Sequence, residues 1–314
     1  KYVITRHDIW PTHIFIANLL EINTVLVNAN LYPNSLRFSA GMKSVNRWMF
    51  HQFDLILTGS ENIKNTILSL SPHANVNVTG DSRFDQIIER AEKNNISLLP
   101  SQFTSSKNVI LGSIVDSDLP IIKDVLKLLG GNFWNEEYKL IIVPHEVSDI
   151  DIIPIEEILS SQNLSFNRLS KLEENSNPQV LIIDTVGHLA DLYKCAQIAY
   201  VGAGFSTGVH SVIEPAVHRC LVVYGPRTDI LDEAIEMAER DISIIVNNGK
   251  SLATVFKKIS ETDEIEKWGN KAQQFVMEKK NASEKIIHEI FSLHNISIFT
   301  LCCFCRGISL YRWV

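Results

Sequence analysis

Cysteine is scarce in this chain: there are five in 314 residues, and three of them crowd the end as Cys302, Cys303 and Cys305. So few and so uneven a set excludes a disulfide framework, and a reducing, cytosolic setting is expected. The CysCys-Phe-Cys run could ligate a metal, but no second cluster of ligands accompanies it. Residues 293–314 therefore read as an atypical tail, with no metal and no cofactor expected. Positive charge is also in deficit. Lys and Arg number 29 against 36 Asp and Glu, for a net charge of −7 and a pI near 5.8. That balance excludes a nucleic-acid binder, which carries a basic surplus, and no polybasic block offers docking to anionic lipid. The apolar run of the tail falls short of the roughly 20 residues a membrane span needs. No signal peptide accompanies the sequons at Asn95, Asn163, Asn281 and Asn295, which are not expected to be used. There is no initiator Met. The chain opens on the apolar stretch YVIT, so a fragment that begins within a domain is expected.

What is present is a regular alternation. The composition, 45% hydrophobic and 21% charged, is enough for one large core or two ordinary ones. Over residues 1–80, strands are expected at Tyr2–Thr5, Thr24–Asn28, Asp54–Thr58 and Asn75–Thr79. Helices are expected across Thr12–Glu21, Met42–His51 and Glu61–Leu70, with Ser60 as an N-cap. Short apolar strands between helices make a parallel, doubly wound sheet, here only half a domain. Residues 86–106 are polar and read as a connector. A second series starts at Asn108, with six strands at Asn108–Gly112, Tyr138–Pro144, Val180–Asp184, Gln197–Val201, Leu221–Tyr224 and Ile242–Val246. Residues 249–292 read as two helices, the second spanning Glu264–Ile290. The domain expectation is 1–95 for an incomplete first unit with its connector, 96–268 for a complete second one, and 269–292 for a helix returning toward the first.

The chemistry-bearing residues fall at strand carboxyl ends, where open α/β sheets bind ligands. Ser113 follows the first strand of the second series, His145 and Glu146 follow the second, and Thr185 and Gly187 lie in DTVGHL. The richest stretch is YVGAGFSTGVHSVIEP, Tyr200 to Pro215. Its Gly202, Gly204 and Gly208 would leave backbone N–H groups uncovered before a helix expected to start near His210, a setting that favours an anionic group. His210, Ser211 and Glu214 then add an imidazole, a hydroxyl and a carboxylate, the last suited to paired sugar hydroxyls. Each has a plainer reading: a tight turn for the glycines, a helix cap for Ser113, a packing or surface imidazole for His145, a dipole partner for Glu214. In HDIWP, His7 to Pro11, Asp8 could be an N-cap and Trp10 core. In VTGDSRFD, Val78 to Asp85, Arg83 could reach a phosphate or carboxylate, or simply pair with Asp81 or Asp85.

Taken together the strings resemble the Kdo (3-deoxy-D-manno-octulosonic acid) transferases, GT-B glycosyltransferases of lipopolysaccharide synthesis. GxHxxxEP resembles the family's GGHNxLEP, with Ser211 in place of Asn. DTVGHLADLY fits DT-x-G-x-L-x-x-L-Y, VPHE fits P-[RH]-[HE], VTGDSRFD fits V-x-G-[ND]-x-[KR]-[FY]-D, and HDIWP is similar to E-x-W-P with Asp8 replacing Glu. The likeness covers about residues 2–290. It implies a GT-B fold of two doubly wound Rossmann-like domains facing across a cleft, the first incomplete. It also implies transfer of Kdo from CMP-Kdo to a lipid A precursor, lipid IVA, at the cytoplasmic face of the bacterial inner membrane. Within the resemblance, Ser113, His145, Glu146, Gly187, Gly202, Gly204, Gly208, His210, Ser211 and Glu214 would hold the nucleotide sugar, and Asp8 would be a supporting residue. The main base and a membrane anchor would precede Lys1. Two other readings stay open, a UDP-sugar transferase or epimerase on the same fold and a nucleotide-binding fragment without turnover.

Overall fold

The computed structural model describes residues 1–6, 8–93, 99–173 and 176–304, with side chains described as far as residue 293. His7, Asn95 and the CysCys-Phe-Cys side chains lie outside that description. The chain divides into two compact units, one of residues 1–85 together with the chain from 281 onward, the other of residues 86–280. The divisions thus fall at 85/86 and 280/281, against the 95/96 and 268/269 expected.

In the first unit β1 (Tyr2–Thr5), β2 (Thr24–Ala29), β3 (Leu55–Thr58) and β4 (Val76–Val78) form a parallel sheet in simple order. Strands buried on both faces read as unbroken apolar runs, and β3, LILT, is buried at all four positions. The two-residue period sorts its faces. Leu26, Ile56 and Val76 pack with Ile14, Met49, Phe50, Ile63 and Ile67 of the helices Pro11–Leu19, Lys43–His51 and Glu61–Leu70. Val25, Val27, Leu55 and Leu57 meet Ile286 and Leu293 of the last helix, Ala282–Phe304. Ser60 is an N-cap, its Oγ accepting from the Ile63 N–H at 3.2 Å. Two expectations fail nearby. The first helix has Pro11 at its start with Trp10 as cap residue, so Asp8 is not the N-cap. Trp10 itself is 62% exposed rather than core, because an N-cap projects off the helix end.

The segment VTGDSRFD seats the last helix. Gly80 adopts φ 91°, and a Cβ there would lie 3.0 Å from the Ala282 Cβ. Asp85 accepts the N–H groups of Asn281 and Ser283, each at 2.6 Å, satisfying donors a helix start leaves orphaned. Arg83 pairs with Asp81 at 2.8 Å, the plainer of its two readings. The single helix expected over Glu264–Ile290 is two helices, Thr262–Glu278 and Ala282–Phe304, interrupted where Asn281 takes φ 71°.

The second unit holds seven parallel strands: β5 (Lys107–Ile114), β6 (Tyr138–Pro144), β7 (Phe166–Arg168), β8 (Val180–Ile182), β9 (Ala196–Val201), β10 (Leu221–Tyr224) and β11 (Ser243–Ile245). The six expected miss β7, whose three residues contain a single apolar side chain and pair only with β8. The connector is partly helical, at Arg83–Lys93 and Ser101–Thr104. Sheet order is β11-β10-β9-β5-β6-β8-β7. The chain therefore builds outward from β5 through β6, then returns to β5's other side with β9. That reversal opens a crevice at the carboxyl ends of β5 and β9, the place where such sheets bind ligands.

Candidate functional site

The reversal is locked by one buried carboxylate. Asp118, fully buried, accepts from Tyr200 Oη at 2.7 Å, the Ala203 N–H at 2.9 Å and the Val115 N–H at 3.1 Å. It thereby ties the segment after β5 to the loop after β9. Burial and Asp118 both push the Tyr200 hydroxyl's pKa up, burial foremost, so Tyr200 is a donor here at any ordinary pH. Gly202 donates to the Gly112 carbonyl at 2.8 Å, and a Cβ on it would fall 2.2 Å from the Ser113 carbonyl oxygen. Ser113 takes φ 54°, an uncommon conformation that turns the chain at the end of β5.

These contacts revise the reading of the glycine loop. The Gly202 and Gly208 N–H groups bond to the Gly112 and Ala203 carbonyls, at 2.8 and 3.2 Å, and so do not lie uncovered. The following helix begins at Ile213 rather than near His210 and runs only to Val217. Glycine is required at Gly202 and Gly204 by close backbone, of Ser113 and of Gly225 after β10, and at Gly208 by a φ of 116° against the Ile230 side chain.

On this frame His145 and His210 stack, with ring centroids 4.5 Å apart and planes 18° from parallel. The His145 N–H bonds to the Ile114 carbonyl at 2.9 Å, which fixes the turn after β6 against β5. Beside it opens a cavity of about 310 Å³ lined by Asp116, Ser117, His145, Glu146, Asp151 and Ser206 among others. Ser117 and Ser206 bond across it at 2.8 Å. The His210 pKa is lowered by burial first and by His145 second, with Asp118 opposing. Two positive charges 4.5 Å apart would repel by on the order of 4 kcal/mol at a surface-like dielectric, so the pair favours at most one proton.

A third group faces the loop after β8. Arg90 donates to the Gly187 carbonyl at 3.0 Å and forks onto Asp191 at 3.0 and 3.1 Å. Gly187 is exposed at φ 89°. Glu214, half-buried, has its pKa raised by burial foremost; Arg90 pulls it down and Asp191 pushes it up. The Thr185 hydroxyl in the same loop is buried with no hydrogen-bond partner among the described residues.

Comparison with known proteins now bears on what this crevice serves. Residues 1–86 match the family described as 3-Deoxy-D-manno-octulosonic-acid transferase (kdotransferase). Over those residues, and through the curated relatives below, the chain is similar to the Kdo transferases. Among curated proteins it is similar to a bifunctional glycosyltransferase/methyltransferase of Fusobacterium nucleatum, 28% identical over 84% of this chain and 41% of the relative. It is also similar to the 3-deoxy-D-manno-octulosonic acid transferases of Chlamydia muridarum, 25% identical over 78% of this chain and 58% of the relative, and Haemophilus influenzae, 23% identical over 91% and 67%. The chain spans about half the length of the first of these relatives. Among solved structures, an α,α-trehalose 6-phosphate synthase from Burkholderia multivorans superposes with TM-score 0.63 over 95% of this chain and 72% of the other, at 9% identity. Two parallel α/β units with that likeness give a GT-B glycosyltransferase fold.

The structure gathers Ser113, His145, Glu146, Gly202 and His210 at the ends of β5, β6 and β9, with Gly187 and Glu214 linked through Arg90. Asp8 lies in the first unit, exposed after β1. Sequence reasoning missed Asp118 and Arg90. Asp118 stands in DSDLP, where two acids and a Pro read as an ordinary helix start. Arg90 sits in ERAEK, which reads as a solvated helix face.

Proposed function

We propose that this chain contributes the donor-binding part of a Kdo transferase, which moves Kdo from CMP-Kdo to a lipid A precursor and releases CMP, in lipopolysaccharide biosynthesis. The carrying observation is the crevice between β5 and β9 with its stacked imidazole pair, on the same sheet edge from which the loops after β8 and β9 carry the exposed Gly187 turn and the half-buried Glu214. Glu214 is proposed to hold the ribose hydroxyls, and Gly187 with Thr185 to face the cytosine. In the reaction the acceptor hydroxyl attacks the anomeric carbon with inversion as the phosphate leaves. The leaving phosphate needs charge stabilisation, and a carboxylate must take the acceptor's proton. Asp8 is proposed as a supporting residue.

Membrane association at the cytoplasmic face of the bacterial inner membrane is part of the same proposal. Residues 22–53 contain Arg37, Lys43 and Arg47 and no acidic residue, and Leu36, Met42, Val45 and Trp48 are exposed there, Leu36 at 84%. Exposed apolar side chains on a segment without acidic residues suit a lipid surface even though no polybasic block is present. Among the described residues no helix is long and apolar enough to cross a membrane.

Calorimetry with CMP and UMP tests the donor. CMP is expected to bind at least tenfold more tightly; equal or tighter UMP binding would favour a UDP-sugar enzyme and overturn the assignment.

A further inference from the structure

The cavity beside β6 is an awkward home for an anion. Its carboxylates come from every side: Asp116 from the segment after β5, Glu146 from the turn after β6, Asp151 from the helix Asp149–Ser161. Asp118 lies buried beneath, close enough to His210 to influence its charge. Among the described lining residues, His145 is the one able to carry positive charge. A donor containing a phosphodiester and an acid sugar must nevertheless bring oxyanions into this crevice.

We propose that His145 and His210 act as one proton-linked receptor for a donor oxyanion, the stacked pair taking a proton from solvent as that group seats. The inference rests on the donor-site reading above and deepens it. Stacked at 4.5 Å, the rings disfavour two protons but suit one, because a neutral imidazole face accepts a charged ring laid over it. The exposed Glu146 carboxylate lies 3.9 Å from His145 Nε2. His210 Nε2 is buried with no hydrogen-bond partner among the described residues, so the pair has a nitrogen in hand for a ligand oxygen. An arginine in place of His145 would bind the same oxyanion with a fixed charge, whereas this chain binds it with a charge that depends on pH. No bond is made or broken; one proton moves from solvent to the pair.

The test uses the full chain and two probes that do not themselves titrate between pH 6 and 8. Cytidine 5′-(methyl phosphate) carries the phosphodiester alone, and free Kdo carries the carboxylate alone. Calorimetry in buffers of different ionisation enthalpy should show proton uptake averaging about half a proton between pH 6 and 8, and affinity about tenfold tighter at pH 6 than at pH 8. The probe showing this linkage identifies which oxyanion the pair receives. His145→Arg should bind tightly with no pH dependence, and His145→Gln weakly with none. Binding by the wild-type chain without proton uptake for either probe overturns the inference, as does an unchanged pH slope in His145→Gln. If CMP and both probes fail to bind at every pH, the donor-site reading falls and the inference with it.

Discussion

Removing the carboxylate of Asp118 would orphan three donors at once, the Tyr200 hydroxyl and the Ala203 and Val115 N–H groups. Each buried donor left unpaired costs roughly 1–3 kcal/mol. Asp118→Ala is therefore expected to lower the unfolding free energy by several times what an exposed aspartate would, and to cost CMP affinity because the β5 and β9 ends come apart. Gly202→Ala should destabilise by the same route, its Cβ meeting the Ser113 carbonyl. Urea titrations of both variants check this, and a wild-type midpoint for Asp118→Ala would refute it. The contrast between Asp118 and the glycines shows what is legible in a chain. Glycines between an apolar strand and an EP pair announce a strand-end loop, and the loop is there. Their reason is not announced: close backbone packing and an open anion cradle require the same residue. Asp118 is silent because two of its three partners lie 82 and 85 residues away in sequence.

At the scale of elements, apolar runs gave the strands well, since parallel strands buried on both faces have an unmistakable composition. The failures have physical causes. β7 buries too little to leave a pattern. The break near residue 280 depends on Asn281 adopting a left-handed conformation, which Asn tolerates without advertising it. Asp85 holds the helix beyond that break. Asp85→Ala removes an acceptor serving two N–H groups, a loss of about 1–2 kcal/mol by analogy with helix caps. Amide exchange should then quicken selectively over residues 281–290. Uniform quickening of the whole first unit would mean that the helix is held by Ile286 and Leu293 packing alone.

For the molecule as a whole, the buried ionisable groups of the second unit set stability against function. His210 and His218 both have pKa values lowered chiefly by burial. The unfolded chain therefore binds their protons first. Their contribution is intact above about pH 6.5 and is lost as pH falls through the lowered folded values. The His210→Gln/His218→Gln double variant should accordingly show a smaller fall in urea midpoint between pH 7.5 and 5.5 than wild type. Glu214 has the opposite sign. Burial raises its pKa, so its contribution is present below about pH 4.5 and lost as pH rises through the raised value. At neutral pH the ionised carboxylate is a local cost that Arg90 offsets only in part. Glu214→Gln should thus raise the midpoint at pH 7.5 relative to pH 4.5. If Glu214 holds the donor's ribose, the same change also removes a charge-assisted hydrogen bond worth roughly 1.5–3 kcal/mol, and CMP should bind one to two decades more weakly. A carboxylate kept for structure would give the reverse, a lower midpoint at pH 7.5 with CMP affinity unchanged. Stability gained where binding is lost is the signature of a group retained for its ligand.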